Sequence, residues 1–202
     1  MPAFDSLVLE TPRLRLRPLR RDDAGALYGV FSDPRVMRYW STAPWTDLAP
    51  AHILVETDQQ AMAAGEHLRL GLERRDDGAL LGTCTLYHFH WSNRRADIGY
   101  ALAFDAWGQG YMGEALAALV GHGFDELGLN RLEADIDPRN LASARALGRL
   151  GFREEGLLRE RWIVEGEVSD SAIWGLLRSD WLKARAAPHR RAPGEPAPAL
   201  RR

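Results

Sequence analysis

The residues most able to do chemistry cluster around Ala106-Trp107-Gly108-Gln109-Gly110-Tyr111-Met112-Gly113-Glu114-Ala115. Glycines at 108 and 110 permit positive φ, so the chain can turn tightly with several N–H groups pointing one way. A helical pattern follows at once, and its free N–H groups and positive dipole end add to the same site. The chemistry this suits is the binding of a phosphate group. Other reactive side chains flank the turn. Asp97 begins the preceding alternating segment, and Asn140 and Ser143 open a later helix. His88 and His90 share a strand face, but no third ligand follows at metal spacing, so no metal is expected. Cys84 is the only cysteine, which excludes an internal disulfide and a cysteine-based zinc site and fits the cytoplasm.

The elements that must position these groups can be read from periodicity. Leu14 and Leu16 alternate with arginines as a first strand ended by Pro18. Asp22 and Asp23 open a helix with Leu27, Tyr28 and Phe31 on one face, ending near Asp33-Pro34. The aromatic stretch Tyr39, Trp40 and Trp45 is broken by proline, and reads either as a loop over a pocket or as a loop tucking its rings into the core. Thr46 or Asp47 would cap a helix ending at Gly65. Leu68, Leu70 and Leu72 start a meander of strands in which Asp77-Gly78 turns a hairpin. The strand to Phe104 carries Ile98, Tyr100, Leu102 and Phe104 on one face. Its other face has Asp97, Gly99, Ala101 and Ala103, small enough to leave room for a ligand.

After the glycine turn come a helix with a wide apolar stripe closed by Gly128, and a strand at 131–137. A helix capped by Asn140 and a hairpin about Glu165-Gly166 follow. Residues 1–183 thus form one domain, and the Pro-, Ala- and Arg-rich stretch 184–202 reads as a tail without structure.

At 202 residues the chain is long enough for one sizeable core. A net charge of −2 gives no pull toward nucleic acid or an anionic membrane, and no apolar run approaches the ~20 residues of a membrane helix. Gly108, Gly110 and Gly113 also spell G-x-G-x-x-G, the dinucleotide fingerprint. That reading fails on context, because the preceding strands are joined by short hairpins and only one further strand–helix–strand unit remains. Glu133, Asp135 and Asp137, which stand at the distance of a ribose-binding acid, are read instead as solvent-facing positions of an edge-like strand.

The order β-α-α-β-β-β, glycine turn, α-β-α-β-β resembles the GNAT superfamily of acyl-CoA-dependent N-acetyltransferases. The resemblance is strongest to the branch of ribosomal-protein N-terminal acetyltransferases. It rests on Thr11-Pro12-Arg13-Leu14-Arg15-Leu16-Arg17, on Asp97-Ile98-Gly99-Tyr100-Ala101-Leu102 and on the 107–115 turn. Asn140-Leu141-Ala142-Ser143, Leu150-Gly151-Phe152 and Asp170 complete it. It implies an α+β fold with a mixed, mostly antiparallel central sheet flanked by helices, and acetyl-CoA as co-substrate without a metal.

By that resemblance the pyrophosphate lies on the amides of Trp107, Gly108, Gln109, Gly110, Tyr111, Met112 and Gly113. The pantetheine arm then adds along Tyr100, Ala101 and Leu102, with Asn140 reaching it, and an N–H near Leu102 polarises the thioester. Met112 departs from the family's turn. The position of the family's general-acid tyrosine is Leu147, leaving Ser143 to protonate the thiolate. Asp97 is the expected base, ahead of Glu66 and Glu73. The acceptor is a primary amine, on a protein N-terminus or a small molecule, in a pocket that includes Tyr39, Trp40, Trp45 and Trp162. A non-catalytic acyl-CoA-binding or regulatory domain is the alternative, and the aromatic loop and last hairpin would otherwise serve a homodimer.

Overall fold

The computed structural model describes residues 2–186. A short strand β1 (Leu9–Glu10) and β2 (Leu14–Arg17) lead through a 3-10 turn at Arg21–Asp23 into α1 (Ala24–Phe31). A one-turn helix α2 (Pro34–Met37) and α3 (Ala49–Ala64) follow, then strands β3 (Leu68–Arg74), β4 (Leu80–His90) and β5 (Arg95–Leu102). The remainder is α4 (Tyr111–Asp125), β6 (Arg131–Ile136), α5 (Leu141–Leu150), β7 (Arg153–Val164), β8 (Glu167–Leu177) and α6 (Arg178–Ala186). The eight strands form one sheet in the order β1-β2-β3-β4-β5-β6-β8-β7. Every neighbouring pair is antiparallel except β5 and β6. This is the expected α+β architecture, with β1, α2 and α6 added to the expected order.

Helix boundaries follow local chemistry. The Asp47 carboxylate accepts from Ala49 N at 2.8 Å, and Gly65 ends α3 at φ 72°. The Asp33 side chain accepts from Arg35 N while Pro34 occupies the first turn, so the expected stop of α1 also starts α2. The last helix was not legible, because its only fully docked side chain is Trp181, set beside Phe124 at 6.3 Å. Ala184 to Ala186 therefore finish a helix and do not begin the expected tail; residues 187–202 lie outside the described residues.

Two hydrophobic clusters sandwich the sheet. On one face Leu14, Leu16, Leu68, Leu70, Leu72, Leu86 and Ile98 meet Leu116, Leu119, Val120 and Phe124 of α4. On the other, Leu19, Leu27, Val30, Phe31 and Val55 of the α1–α3 layer pack with Ala101. Arg17 and Asp23 are buried beneath this second layer, paired through Nη1–Oδ2 at 2.7 Å and Nη2–Oδ1 at 2.9 Å. No helix among the described residues is long and apolar enough to cross a membrane.

The small-residue face of β5 is occupied by protein, contrary to the expectation of an open face. The Tyr87 ring lies 3.3 Å from where a Cβ on Gly99 would be, and Ala101 is 4% exposed in the second core. Phe104 leaves the strand for a 3-10 turn at Phe104–Ala106 and is exposed. The ligand space lies instead at the edge of the strand. The parallel β5–β6 joint pairs only Arg95 with Arg131, Ala96 with Leu132 and Asp97 with Glu133, and then opens. Nor is β6 an edge strand, since β8 pairs along its other side.

Candidate active site

The opened joint runs into a cleft of about 1150 Å³. Its floor is Tyr100, Ala101 and Leu102; one end is Trp107, Gly108, Gly110, Tyr111, Met112 and Gly113, and the opposite wall is Asn140, Ser143 and their helix. Most of the residues that the sequence offered for the cofactor therefore line one space. Ala103 N donates to Leu81 O, so alternation turns the N–H groups of Ala101 and Ala103 toward β4. Those of Tyr100 and Leu102 point the other way, into the opening. The Leu102 carbonyl is taken by the Trp107 indole N–H at 2.8 Å, which locks the turn to the end of β5.

Gly108 and Gly110 have φ of 73° and 81°, the left-handed values that fold the turn back on itself. The first intrahelical bond of α4 is Glu114 N to Gly110 O at 3.2 Å, which leaves the amides of Tyr111, Met112 and Gly113 free at the cleft. Met112, the departure from the family pattern, lines the cleft while packing partly on the main core. Gln109 does not face the cleft. Its side chain donates to Asp105 O at 2.8 Å, and its carbonyl accepts from Arg13 Nη1 at 2.8 Å.

That brace is part of a knot. Glu114 accepts from the Thr11 hydroxyl at 2.6 Å, from Arg13 N at 2.8 Å and from Arg13 Nε at 2.7 Å. Burial pushes the Glu114 pKa up, but the Thr11 and Arg13 hydrogen bonds outweigh it and hold it below the ordinary glutamate value. The carboxylate is thereby spent on the turn between β1 and β2 and does not line the cleft. Thr11, Arg13 and Glu114 brace the turn and had no assigned role in the sequence reading, although each stands in one of its quoted motifs.

Asn140 caps α5, its Oδ1 accepting from Ser143 N at 3.1 Å. Ser143 lines the cleft, and its carbonyl lies 3.5 Å from the Tyr100 hydroxyl, whose pKa burial pushes up to about 12. Leu147, one turn on, is fully buried in the main core, so that position faces away from the cleft. Arg35, Arg38, Arg139 and Arg149 also line the cleft; Arg35 pairs with Asp33, Arg38 with Glu167, and Arg139 with both Asp137 and Glu167.

The aromatic set divides. Tyr39 and Trp40 line the cleft. Trp45 does not; it packs on Phe31 at 4.7 Å and serves the second core. Trp162 is on β7, away from the cleft, beside Arg161. Asp97 also lies outside the cleft, because alternation turns it to the sheet face opposite Tyr100. Its partner is His88, with Nδ1 to Oδ2 at 3.0 Å, and not Arg94 or Arg95. Glu73 is spent on Arg17, and Glu66 is exposed.

The acids dismissed as solvent-facing are engaged. Asp137 is 8% exposed and bound by Arg139. Asp135 pairs with Arg161 at 3.0 Å and accepts from the Ser171 hydroxyl. Burial raises its pKa, nearby Asp97 adds to the rise, and Arg161 opposes it. Asp170 accepts from Glu160 N at 2.8 Å, holding a residue of β7 at φ 52°. Burial pushes the Cys84 thiol up to about 12, leaving it an inert core side chain. Among the described residues no group of three or more His, Cys, Asp or Glu could hold a metal ion.

An eight-stranded sheet parted at its one parallel joint, with a helix N-terminus at the end of the opening, is the fold this chain shares with solved acetyltransferase structures. The chain belongs to the GNAT acetyltransferases: the acetyltransferase (GNAT) domain model matches residues 13–153. It is 34% identical to the Bacillus licheniformis protein named uncharacterized N-acetyltransferase p20, covering 86% of this chain and 97% of that one. Among solved structures it is similar to Mycobacterium smegmatis RimJ in complex with CoA-disulfide. There the TM-score is 0.71 and the identity 28%, over 85% of this chain and 88% of that one. The fold is shared too with spermidine N-acetyltransferase from Vibrio cholerae in complex with CoA and spermine. That match has a TM-score of 0.75 and 22% identity, over 85% of this chain and 99% of the other. The likenesses fit the branch expected from the sequence, and the chain is an N-acetyltransferase.

Proposed function

We propose that this enzyme moves the acetyl group of acetyl-CoA to a primary amine by direct attack in a ternary complex. The observation that carries the reading is the continuity of one cleft from the free amides of Tyr111, Met112 and Gly113 to the unpaired edge of β5. Those amides and the dipole of α4 would hold the pyrophosphate. The cleft arginines would meet further phosphate charge.

Along β5 the backbone of Tyr100 and Leu102 would pair with the amides of the pantetheine arm as an added strand would. The Leu102 N–H, fixed by the Trp107 brace, would donate to the thioester oxygen as negative charge develops there. Asn140 and Ser143 stand across the opening, where the Ser143 hydroxyl would give its proton to the departing sulfur. No acyl-enzyme is required, which accords with a buried, protonated Cys84.

The acceptor class is a primary amine, either a peptide N-terminus or a small polyamine. Relatives of both kinds support it: a Bacillus subtilis protein is named a ribosomal N-acetyltransferase, and an Escherichia coli protein spermidine N(1)-acetyltransferase. Tyr39 and Trp40 would form one wall of its approach. Incubation with acetyl-CoA and a panel of peptides and polyamines, following free thiol, tests the proposal. Acceptor-dependent thiol release is expected. Tight CoA binding with no release on any acceptor would overturn it in favour of a binding or regulatory domain.

A further inference from the structure

The short helix α2 and the residue after it send two arginines to different places. Arg35 is held by Asp33 and lies over the Phe104 ring, 3.6 Å from its centroid. Phe104 in turn stands 5.1 Å from Trp107, so Arg35 stays beside the phosphate turn. Arg38 instead reaches the start of β8, where its Nη1 donates to both Glu167 oxygens at 3.2 and 3.1 Å. From the other wall of the cleft, Arg139 Nη1 donates to Glu167 Oε1 at 2.7 Å. The Tyr39 ring is faced by both guanidiniums, at 5.4 and 5.8 Å. Both cleft walls thus converge on one carboxylate.

The two halves of this junction are held unequally. Arg139 is fixed by Asp137 through Nε at 2.9 Å and Nη2 at 2.6 Å. Arg38 has Glu167 as its one acidic partner, and its Nε and Nη2 have no hydrogen-bond partner among the described residues. The Arg38 and Glu167 side chains are 50% and 47% exposed, and ion pairs so open to water are weak and readily exchanged. Glu167 therefore occupies a place that another carboxylate can take.

The charge of the cleft wall says what that carboxylate belongs to. Every charged residue lining the cleft is an arginine, and the acids Asp33, Asp137 and Glu167 that answer them do not line it. A polyamine entering here would bring a second ammonium out of water with no carboxylate on the wall to meet it. Tyr39, the ring best placed to hold a cation, already faces two guanidiniums. An acceptor carboxylate would find the planar donor fork of Arg38 and the Nη1 of Arg139. Arg139 directly precedes Asn140, which stands across the opening from β5, so a carboxylate held there lies close to the reacting end of the cofactor.

We propose that Arg38 and Arg139 select the acceptor by taking a carboxylate of the amine substrate in the place Glu167 now fills. The acceptor is then an amine that also carries a carboxylate, as in an amino acid or a peptide with an acidic first residue, and not a polyamine. This rests on the acetyl transfer proposed above.

The test measures kcat and KM for peptides beginning with Asp or Glu, for the same peptides beginning with Asn or Gln, and for spermidine, together with the KM for acetyl-CoA. Wild type should prefer the acidic peptides about tenfold or more in kcat/KM. Arg38→Gln should erase that preference by raising the KM for the acidic peptides, with the KM for acetyl-CoA retained. Glu167→Gln, which removes the competing carboxylate, should lower the KM for the acidic peptides. Equal use of acidic and amide peptides, a preference for spermidine, or an Arg38→Gln variant that keeps the wild-type preference would overturn the assignment and leave acetyl transfer standing. A raised KM for acetyl-CoA in Arg38→Gln, with the peptide preference intact, would place Arg38 on the cofactor and overturn it too. A wild type that acetylates nothing would remove both readings.

Discussion

Arg13 is where two motifs 101 residues apart in the chain meet, since its amide and guanidinium both reach Glu114. One carboxylate answering two donors from Arg13 and one from Thr11 fixes the start of α4 against the turn between β1 and β2. Arg13→Ala should therefore weaken acetyl-CoA binding about tenfold, through a loosened turn, although Arg13 does not line the cleft. An unchanged Kd in a titration would show the turn to be held by its glycines alone. At Ser143 the expectation differs. Ser143→Ala should lower kcat about tenfold or more with little change in Kd, because the alanine keeps the amide that Asn140 caps and loses only the proton donor. Unchanged turnover would remove the hydroxyl from the mechanism.

At the scale of elements, the decisive feature is a strand pair that starts and stops. Glycine is required at two places beside it. A Cβ on Gly82 would lie 2.1 Å from the Ala101 carbonyl, so Gly82→Ala must push β4 from β5 where the cleft floor is formed. Thermal denaturation should show a loss of about 3 kcal/mol. Gly110, at φ 81°, begins α4 with Arg13 Nη2 already 3.3 Å from where a Cβ would sit. Gly110→Val should abolish acetyl-CoA binding in a fold that persists, since a β-branched residue strains that conformation and re-aims the free amides. Undisturbed binding would refute the placement of the phosphates. A bulge at His88, where β4 has one residue more than β5 between the pairs Tyr87–Asp97 and His90–Arg95, belongs to this scale too, since a single extra residue exchanges which side chains face which layer.

For the molecule as a whole, stability has an acid component that can be located. Burial raises the pKa of Asp23, and hydrogen bonds from Arg17 and the Arg20 amide overcome this and hold it below the ordinary value. A depressed carboxylate contributes stability fully above its unfolded pKa and loses it as pH falls through the folded value. Melting temperature should thus decline below about pH 4, and Asp23→Asn should flatten that decline. The same variant should cost about 2 kcal/mol at neutral pH by leaving the buried Arg17 with Glu73 as its remaining carboxylate partner. Ligand linkage adds a second component. Acetyl-CoA at 100 times its Kd should add about 2.7 kcal/mol, read as a rise of several degrees in a thermal shift.

Much of the fold was legible because its signals are short-range. The alternation of Leu68, Leu70 and Leu72, the Asp77-Gly78 turn, the Asn140 cap and the Gly151 stop each act within a few residues. The phosphate turn was legible for the same reason: Gly108 and Gly110 announce their backbone conformation in their side chains. Trp162 and Asp97 went elsewhere because their neighbours are set by strand register, Trp45 because its loop folds back on Phe31, and Gln109 because its side chain closes on Asp105. Asp135 looked solvent-facing only while β6 was taken for an edge. The sequence by itself determined most of the elements, their order and the backbone conformation of the turn. Tertiary structure alone decided that the sheet parts after Asp97, and that one extra residue in β4 turns His88 onto Asp97, because side-chain direction in a sheet depends on the parity of pairing.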